Sequence, residues 1–137
     1  SYNVDPSAFI WTHAHNEPDF SKHIQAAKMG AWIAFDNFTP AQLDRFVEFA
    51  LLMKKKGLLN KVLFSHDAGW YDPAKPDGGQ FRGFMEIEEL LIPVLKKSGL
   101  KSKDIEQLFV VNPANAFKVQ VRQLKSGYIA VEDLFVR

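Results

Sequence analysis

No cysteine occurs anywhere in the 137 residues. Disulfides and thiolate metal centres are therefore excluded, while the compartment stays open. Charge of one sign is not in excess either: 17 Lys and Arg face 16 Asp and Glu, for a net charge of +1. That balance gives no electrostatic case for nucleic acid or for an anionic membrane surface. No apolar run approaches the ~18 residues of a membrane-spanning helix. No charged-then-apolar leader opens the chain, and there is no internal repeat or low-complexity segment. Ser1 to Pro6 runs almost at once into a strand-like segment. The expectation from this is a start inside a larger fold, which leaves localisation unknown.

What is present points to a folded domain. The chain is 47% hydrophobic and 13% aromatic, with 12 Phe and 3 Trp. That is enough apolar material for one domain with a filled core. Three short apolar runs read as strands: Phe9-Ile10-Trp11-Thr12, Ala31 to Phe35, and Val62-Leu63-Phe64. Continuous rather than alternating apolarity fits strands buried on both faces, as in a parallel sheet. Between them lie helical patterns. Phe20 to Met29 follows a candidate N-cap at Asp19 and stops at Gly30. Leu43 to Met53 follows Thr39-Pro40-Ala41-Gln42, a capping-box signal, and closes on Lys54-Lys55-Lys56-Gly57. The third run leads into Ala68 to Gly83, longer than the ~12–15 residues above which structureless loops are uncommon. A helix from about Met85 to Lys97, with a kink expected at Pro93, comes next. A short helix from about Ser102 to Phe109 follows, and Asn112-Pro113 is read as a fresh turn. The tail from Lys118 is open to two readings. One is a hairpin about Ser126-Gly127, and the other is a helix face through Phe117, Val121 and Leu124. The alternation of strand and helix predicts right-handed βαβ units and a parallel α/β sheet.

Each strand ends in the same kind of residue: His13, Asp36 and Asp67. In a parallel sheet all three reach the same edge, where open α/β sheets and barrels keep their sites. One imidazole and two carboxylates suit a divalent metal, and a carboxylate there can also accept a proton. A polar strand end that merely meets solvent explains the pattern equally well. By alternation His15 shares the side of His13, while His66 turns away from Asp67 and reads as a packed, hydrogen-bonded support. His23 reads as a surface residue. Trp70 and Tyr71 either wall a pocket or anchor the loop. Arg82 either holds an anionic substrate group or sits in a surface ion pair.

Four blocks carry a family resemblance: Phe9-Ile-Trp-Thr-His13, Gly30-Ala-Trp-Ile-Ala-Phe-Asp36, Lys61-Val-Leu-Phe-Ser-His-Asp67 and Val110-Val-Asn-Pro-Ala-Asn-Ala-Phe117. In order and spacing, from Ala8 to Phe117, they resemble the carboxyl-terminal part of the phosphotriesterase family, in the amidohydrolase superfamily of (β/α)8 TIM barrels. The resemblance implies strands six to eight of such a barrel, in one incomplete domain over 1–137, with 118–137 as an extension. It implies His13 and Asp67 as metal ligands and Asp67 as the catalytic proton handler. Asp36 and His66 would support the ligands, and Trp70, Tyr71 and Arg82 would face substrate. Asn37 stands where some members carry a proton-relaying His. The family's other ligands, on strands one, four and five, are not in this chain.

The implied function is that of a fragment of a metal-dependent hydrolase. It would cleave phosphoester or lactone bonds with metal-activated hydroxide and be inactive alone. Zinc is the first expectation for the metal, with manganese or cobalt as alternatives, held weakly or not at all by two ligands. The competing reading is a non-catalytic α/β module that oligomerises and binds a partner or small ligand without metal. Three barrel strands cannot close, so open sheet edges and an uncovered apolar inner face are expected. A homo-oligomer, or association with the missing barrel part, would answer that need. A small-molecule substrate is implied, with no nucleic acid and no membrane.

Overall fold

The computed structural model describes residues 4–122. Among them β1 (Ile10–Trp11), β2 (Trp32–Phe35) and β3 (Val62–Phe64) form one sheet in the order β1-β2-β3, parallel throughout. Helix α1 (Phe20–Met29) connects β1 to β2, and α2 (Leu43–Lys55) connects β2 to β3. This is the α/β alternation that the sequence pattern predicts. β1 is shorter than its apolar run because His13 adopts a left-handed backbone (φ 52) and a 3-10 turn, Ala14–Asn16, follows at once.

Alternation along the strands sorts their side chains into two layers. Ile33, Phe35, Val62 and Phe64 face the helices and join Phe38, Phe46, Phe49, Met53, Leu91, Leu95 and Leu108 in the main core. Phe35 stacks on Phe49 with centroids 3.8 Å apart and planes 2° from parallel. Each such side chain stabilises the fold by about 1.5–3 kcal/mol through removal from water. Trp32, Ala34 and Leu63 face the opposite way, where an open apolar surface was expected. They are instead buried, packed with Ala116 and the half-buried Ile10. Lys61 Nζ sits 4.8 Å over the Trp32 ring and donates to the Gly30 carbonyl.

The carboxyl-terminal helices differ from the expectation in an instructive way. A π turn, Ile87–Leu91, leads straight into α3 (Ile92–Lys97). Beyond it α4 (Ser102–Glu106), a second π turn (Gln107–Val111) and α5 (Asn112–Phe117) form one continuous run. Asn112-Pro113 therefore does not restart the chain. Each π turn ends two residues before a proline, Pro93 or Pro113. A proline ring clashes with the carbonyl four residues back and offers it no N–H. Widening the preceding turn relieves both problems without ending the helix. Asn112, at the start of α5, is fully buried, and its Nδ2 donates to the Leu59 and Val62 carbonyls at 2.8 and 2.7 Å. This locks α5 to the start of β3. The helix ends at Phe117, so Val121 shares no helix face with it. The proposed hairpin about Ser126-Gly127 and the position of Leu124 lie outside the described residues.

Candidate metal and hydrolytic site

All three strands deliver their last polar residues to one rim, and each exit passes through a non-glycine residue in the left-handed region. These are His13 (φ 52), Asn37 (φ 58) and Asp67 (φ 46). Such backbone costs of order 1–3 kcal/mol per residue and persists where neighbours over-determine it. The neighbours are identifiable here.

Asp36, buried at the end of β2, is the hub. Its Oδ2 accepts the His13 backbone N–H at 2.8 Å, and its Oδ1 lies 2.9 Å from His13 Nδ1. His15 Nδ1 also lies 2.9 Å from Asp36 Oδ1, yet off the line of a hydrogen bond, and it has no hydrogen-bond partner. The His15 side chain is 7% exposed, against 59% for His13. Asp67 stands beside this group, with Oδ2 4.0 Å from His13 Nδ1 and its side chain 26% exposed. Among the described residues His13, His15 and Asp36 form a set whose possible ligand atoms all lie within 4.8 Å of one another. Two imidazoles and a carboxylate are the nitrogen and oxygen donors that a divalent metal of the zinc type takes.

His13 and His15 come together by a route other than strand alternation, because the strand has already ended. The left-handed residue and the 3-10 turn bring both rings to Asp36. That turn is pinned from behind. His23 is not a surface residue: it is fully buried, stacked on Trp11 and surrounded by Phe20, Phe35 and Phe49. Its Nε2 donates to the Ala14 carbonyl at 2.7 Å, and burial lowers its pKa. The signal in the sequence was its spacing, three residues after Phe20 and four before Ala27 on the apolar face of α1. Arg45 of α2 donates to the His15 and Glu17 carbonyls at 3.0 and 3.1 Å while its guanidinium lies over Phe20. Nothing in the linear pattern singles out that arginine.

The end of β3 is held in a similar way. The His66 ring accepts the Ile87 backbone N–H at Nε2, 3.1 Å away. The Glu88 carboxylate lies 3.6 Å from the same nitrogen. Arg82 reaches back from the loop. It donates to the side chain of Asn37 at 3.0 Å, to the Asp67 carbonyl at 2.7 Å and to the His66 carbonyl. Its guanidinium is thus engaged with strand-end groups. Trp70 and Tyr71 are 72% and 66% exposed on the same loop. Trp70 Nε1 donates to the Asp67 carbonyl, and the Tyr71 ring lies against Gly78, whose positive φ and lack of a side chain allow it.

Comparison with known proteins bears on the fold and the family. The chain is 23% identical over 121 residues to the phosphotriesterase homology protein of Escherichia coli, covering 86% of this chain and 41% of that protein. Among solved structures it superposes on a variant of an organophosphorus hydrolase from Deinococcus radiodurans with a TM-score of 0.69 at 25% identity, covering 83% of this chain and 39% of the other. A lactonase from Listeria monocytogenes gives a TM-score of 0.73 at 22% identity, over 86% of this chain and 38% of the other. The chain thus spans about two-fifths of each of these proteins. The model of the phosphotriesterase family matches residues 2–117, and this places the chain in the phosphotriesterase family.

Proposed function

We propose that this chain is the strand-six-to-eight part of a (β/α)8 hydrolase that cleaves phosphoester or lactone bonds in a small-molecule substrate. The observation that carries the reading is the single rim where His13 lies 2.9 Å from Asp36 and 4.0 Å from Asp67, within a chain of this family. A divalent metal fits the residues present. The donors are of the right chemistry, and a buried, unpartnered imidazole nitrogen faces them. His13 and Asp67 would hold it, zinc before manganese or cobalt, and when bound it would supply Lewis-acid activation of water. Asp36 orients the His13 imidazole in the manner of a carboxylate–histidine pair. Asp67 accepts the proton of the attacking water at a carboxylate oxygen, from a position open enough to reach solvent. His66 and Arg82 hold the Asp67 backbone in its left-handed conformation. Trp70 and Tyr71 offer aromatic surface beside the rim, suited to the apolar part of a substrate.

The sheet order leaves β1 and β3 as edges among the described residues. Such edges are completed by the remaining strands of a barrel or by a second copy of the chain. Co-expression with the strand-one-to-five portion of the Escherichia coli relative tests the reading. The complemented barrel is expected to hydrolyse an aryl phosphotriester or a lactone with zinc or manganese, and to lose turnover on Asp67→Asn. The chain alone is expected to show none. A complemented barrel that folds and holds metal but turns over neither class refutes the proposal.

A further inference from the structure

We infer that His15 is a metal ligand, and that His13, His15 and Asp36 together form a mononuclear cation site built from this chain alone. This goes beyond the hydrolase reading: it needs neither Asp67 nor any absent strand. The first ground is geometric. His13 Nδ1 and His15 Nδ1 each lie 2.9 Å from the same carboxylate oxygen, Asp36 Oδ1. Ligands at the 2.0–2.1 Å typical of zinc stand about 3.3 Å apart along a tetrahedral edge, so these two edges need to lengthen by only a few tenths of an ångström, while the three atoms together lie within 4.8 Å of one another. The second ground is an unmet need. His15 Nδ1 is buried and has no hydrogen-bond partner, although a carboxylate lies within reach. A buried polar atom in that state is destabilising unless something not yet counted satisfies it. A cation placed among the three groups would do so.

The third ground is that the surroundings are already fixed for ligation. The His15 carbonyl is held by Arg45 and the Ala14 carbonyl by His23, so the turn that carries both imidazoles is braced at successive residues. Asp36 keeps its second oxygen on the His13 backbone N–H, and in the cation-bound form its Oδ1 and His13 Nδ1 exchange their mutual hydrogen bond for the cation, so Asp36 ligates there instead of only orienting His13. Outer contacts of this sort orient ligands and keep a site from depending on the metal for its shape. Two neutral imidazoles and one carboxylate suit a zinc-like divalent ion, with a coordination position left for water. This distinguishes the site from a pair of ligands that would hold metal only weakly.

Cobalt(II) titration of the 137-residue chain, followed by its visible absorption, tests the inference. The unmodified chain and Asp67→Asn are expected to bind one cobalt with the intense bands of a low-coordinate site. His15→Ala is expected to weaken binding by more than the roughly 10–100-fold that loss of an outer contact costs. Because His15→Ala can also disturb packing, His15→Cys gives a positive signal. A thiolate at that position adds a sulfur-to-cobalt charge-transfer band only if residue 15 touches the metal. Three results would overturn the inference: cobalt bound without that band, undiminished affinity in His15→Ala, or no binding by the unmodified chain. Loss of binding in Asp67→Asn with His15→Ala unaffected would also overturn it, while leaving the His13 and Asp67 pair of the proposed function standing.

Discussion

Asn112 offers the sharpest test of what holds the helical run against the sheet. Its side chain is fully buried, donates to the Leu59 and Val62 carbonyls and accepts from Gln107 Nε2. Asn112→Ala removes three hydrogen bonds and leaves two carbonyls short of a partner. The Leu59 carbonyl still accepts the Val62 N–H, so its loss is partial. Taking about 1–3 kcal/mol for a stranded buried group and less for a half-satisfied one, the expected loss is about 2–4 kcal/mol. Asn112→Asp keeps the shape but turns a donor into an acceptor facing two carbonyl oxygens. It also buries a charge or forces it to stay protonated. The isosteric change should therefore be the more damaging of the two. Urea unfolding followed by circular dichroism gives both values at once, with an unchanged slope showing that the unfolded states compare. A loss under about 1 kcal/mol for the alanine variant would refute the reasoning, as would an aspartate variant more stable than the alanine one.

Two further outcomes follow from the site's supports. Burial holds the His23 pKa below its ordinary 6.5, so the unfolded chain binds the proton more readily than the folded one. That part of the stability is complete above about pH 6.5 and falls as the pH drops below it; His23→Gln, which can still donate to the Ala14 carbonyl, should flatten this fall in urea midpoints taken between pH 7.5 and 5.5. Arg82→Lys loses the planar fork that bridges Asn37, His66 and Asp67, so backbone amides of residues 68–86 should exchange with deuterium at least several-fold faster while those of β2 keep their protection. Unchanged exchange in the loop would show that the arginine is not what secures it.

The family was legible because its blocks sit at strand ends, where local residue type and position in the fold coincide. Apolar runs of three to five residues placed the strands, and the polar residue after each run reached the expected rim. Less legible were features set by contacts distant in sequence. His23 shares the spacing of the apolar face of α1, but its full burial depends on Phe35 and Phe49 arriving from β2 and α2. Arg45 and His15 are thirty residues apart, and only the fold introduces them. The meeting of His13 with His15 was anticipated from strand alternation, whereas a left-handed residue and a 3-10 turn produce it. In the sequence Pro93 reads as a kink and Asn112-Pro113 as a fresh turn, two familiar answers to proline's missing donor. A π turn is the third way to meet that lack, and nothing local announces it.

The mirror-handed exits at His13, Asn37 and Asp67 carry a consequence for engineering. A segment that departs through such a residue inherits its heading from the scaffold and not from its own composition. Grafting a foreign stretch in place of residues 71–80 should therefore leave the imidazole and carboxylate positions undisturbed, because Asp67 and the side chains that hold its carbonyl, Trp70 and Arg82, lie outside the exchanged piece. Chemistry and selectivity would then be adjustable separately, one by the rim and the other by whatever is spliced above it.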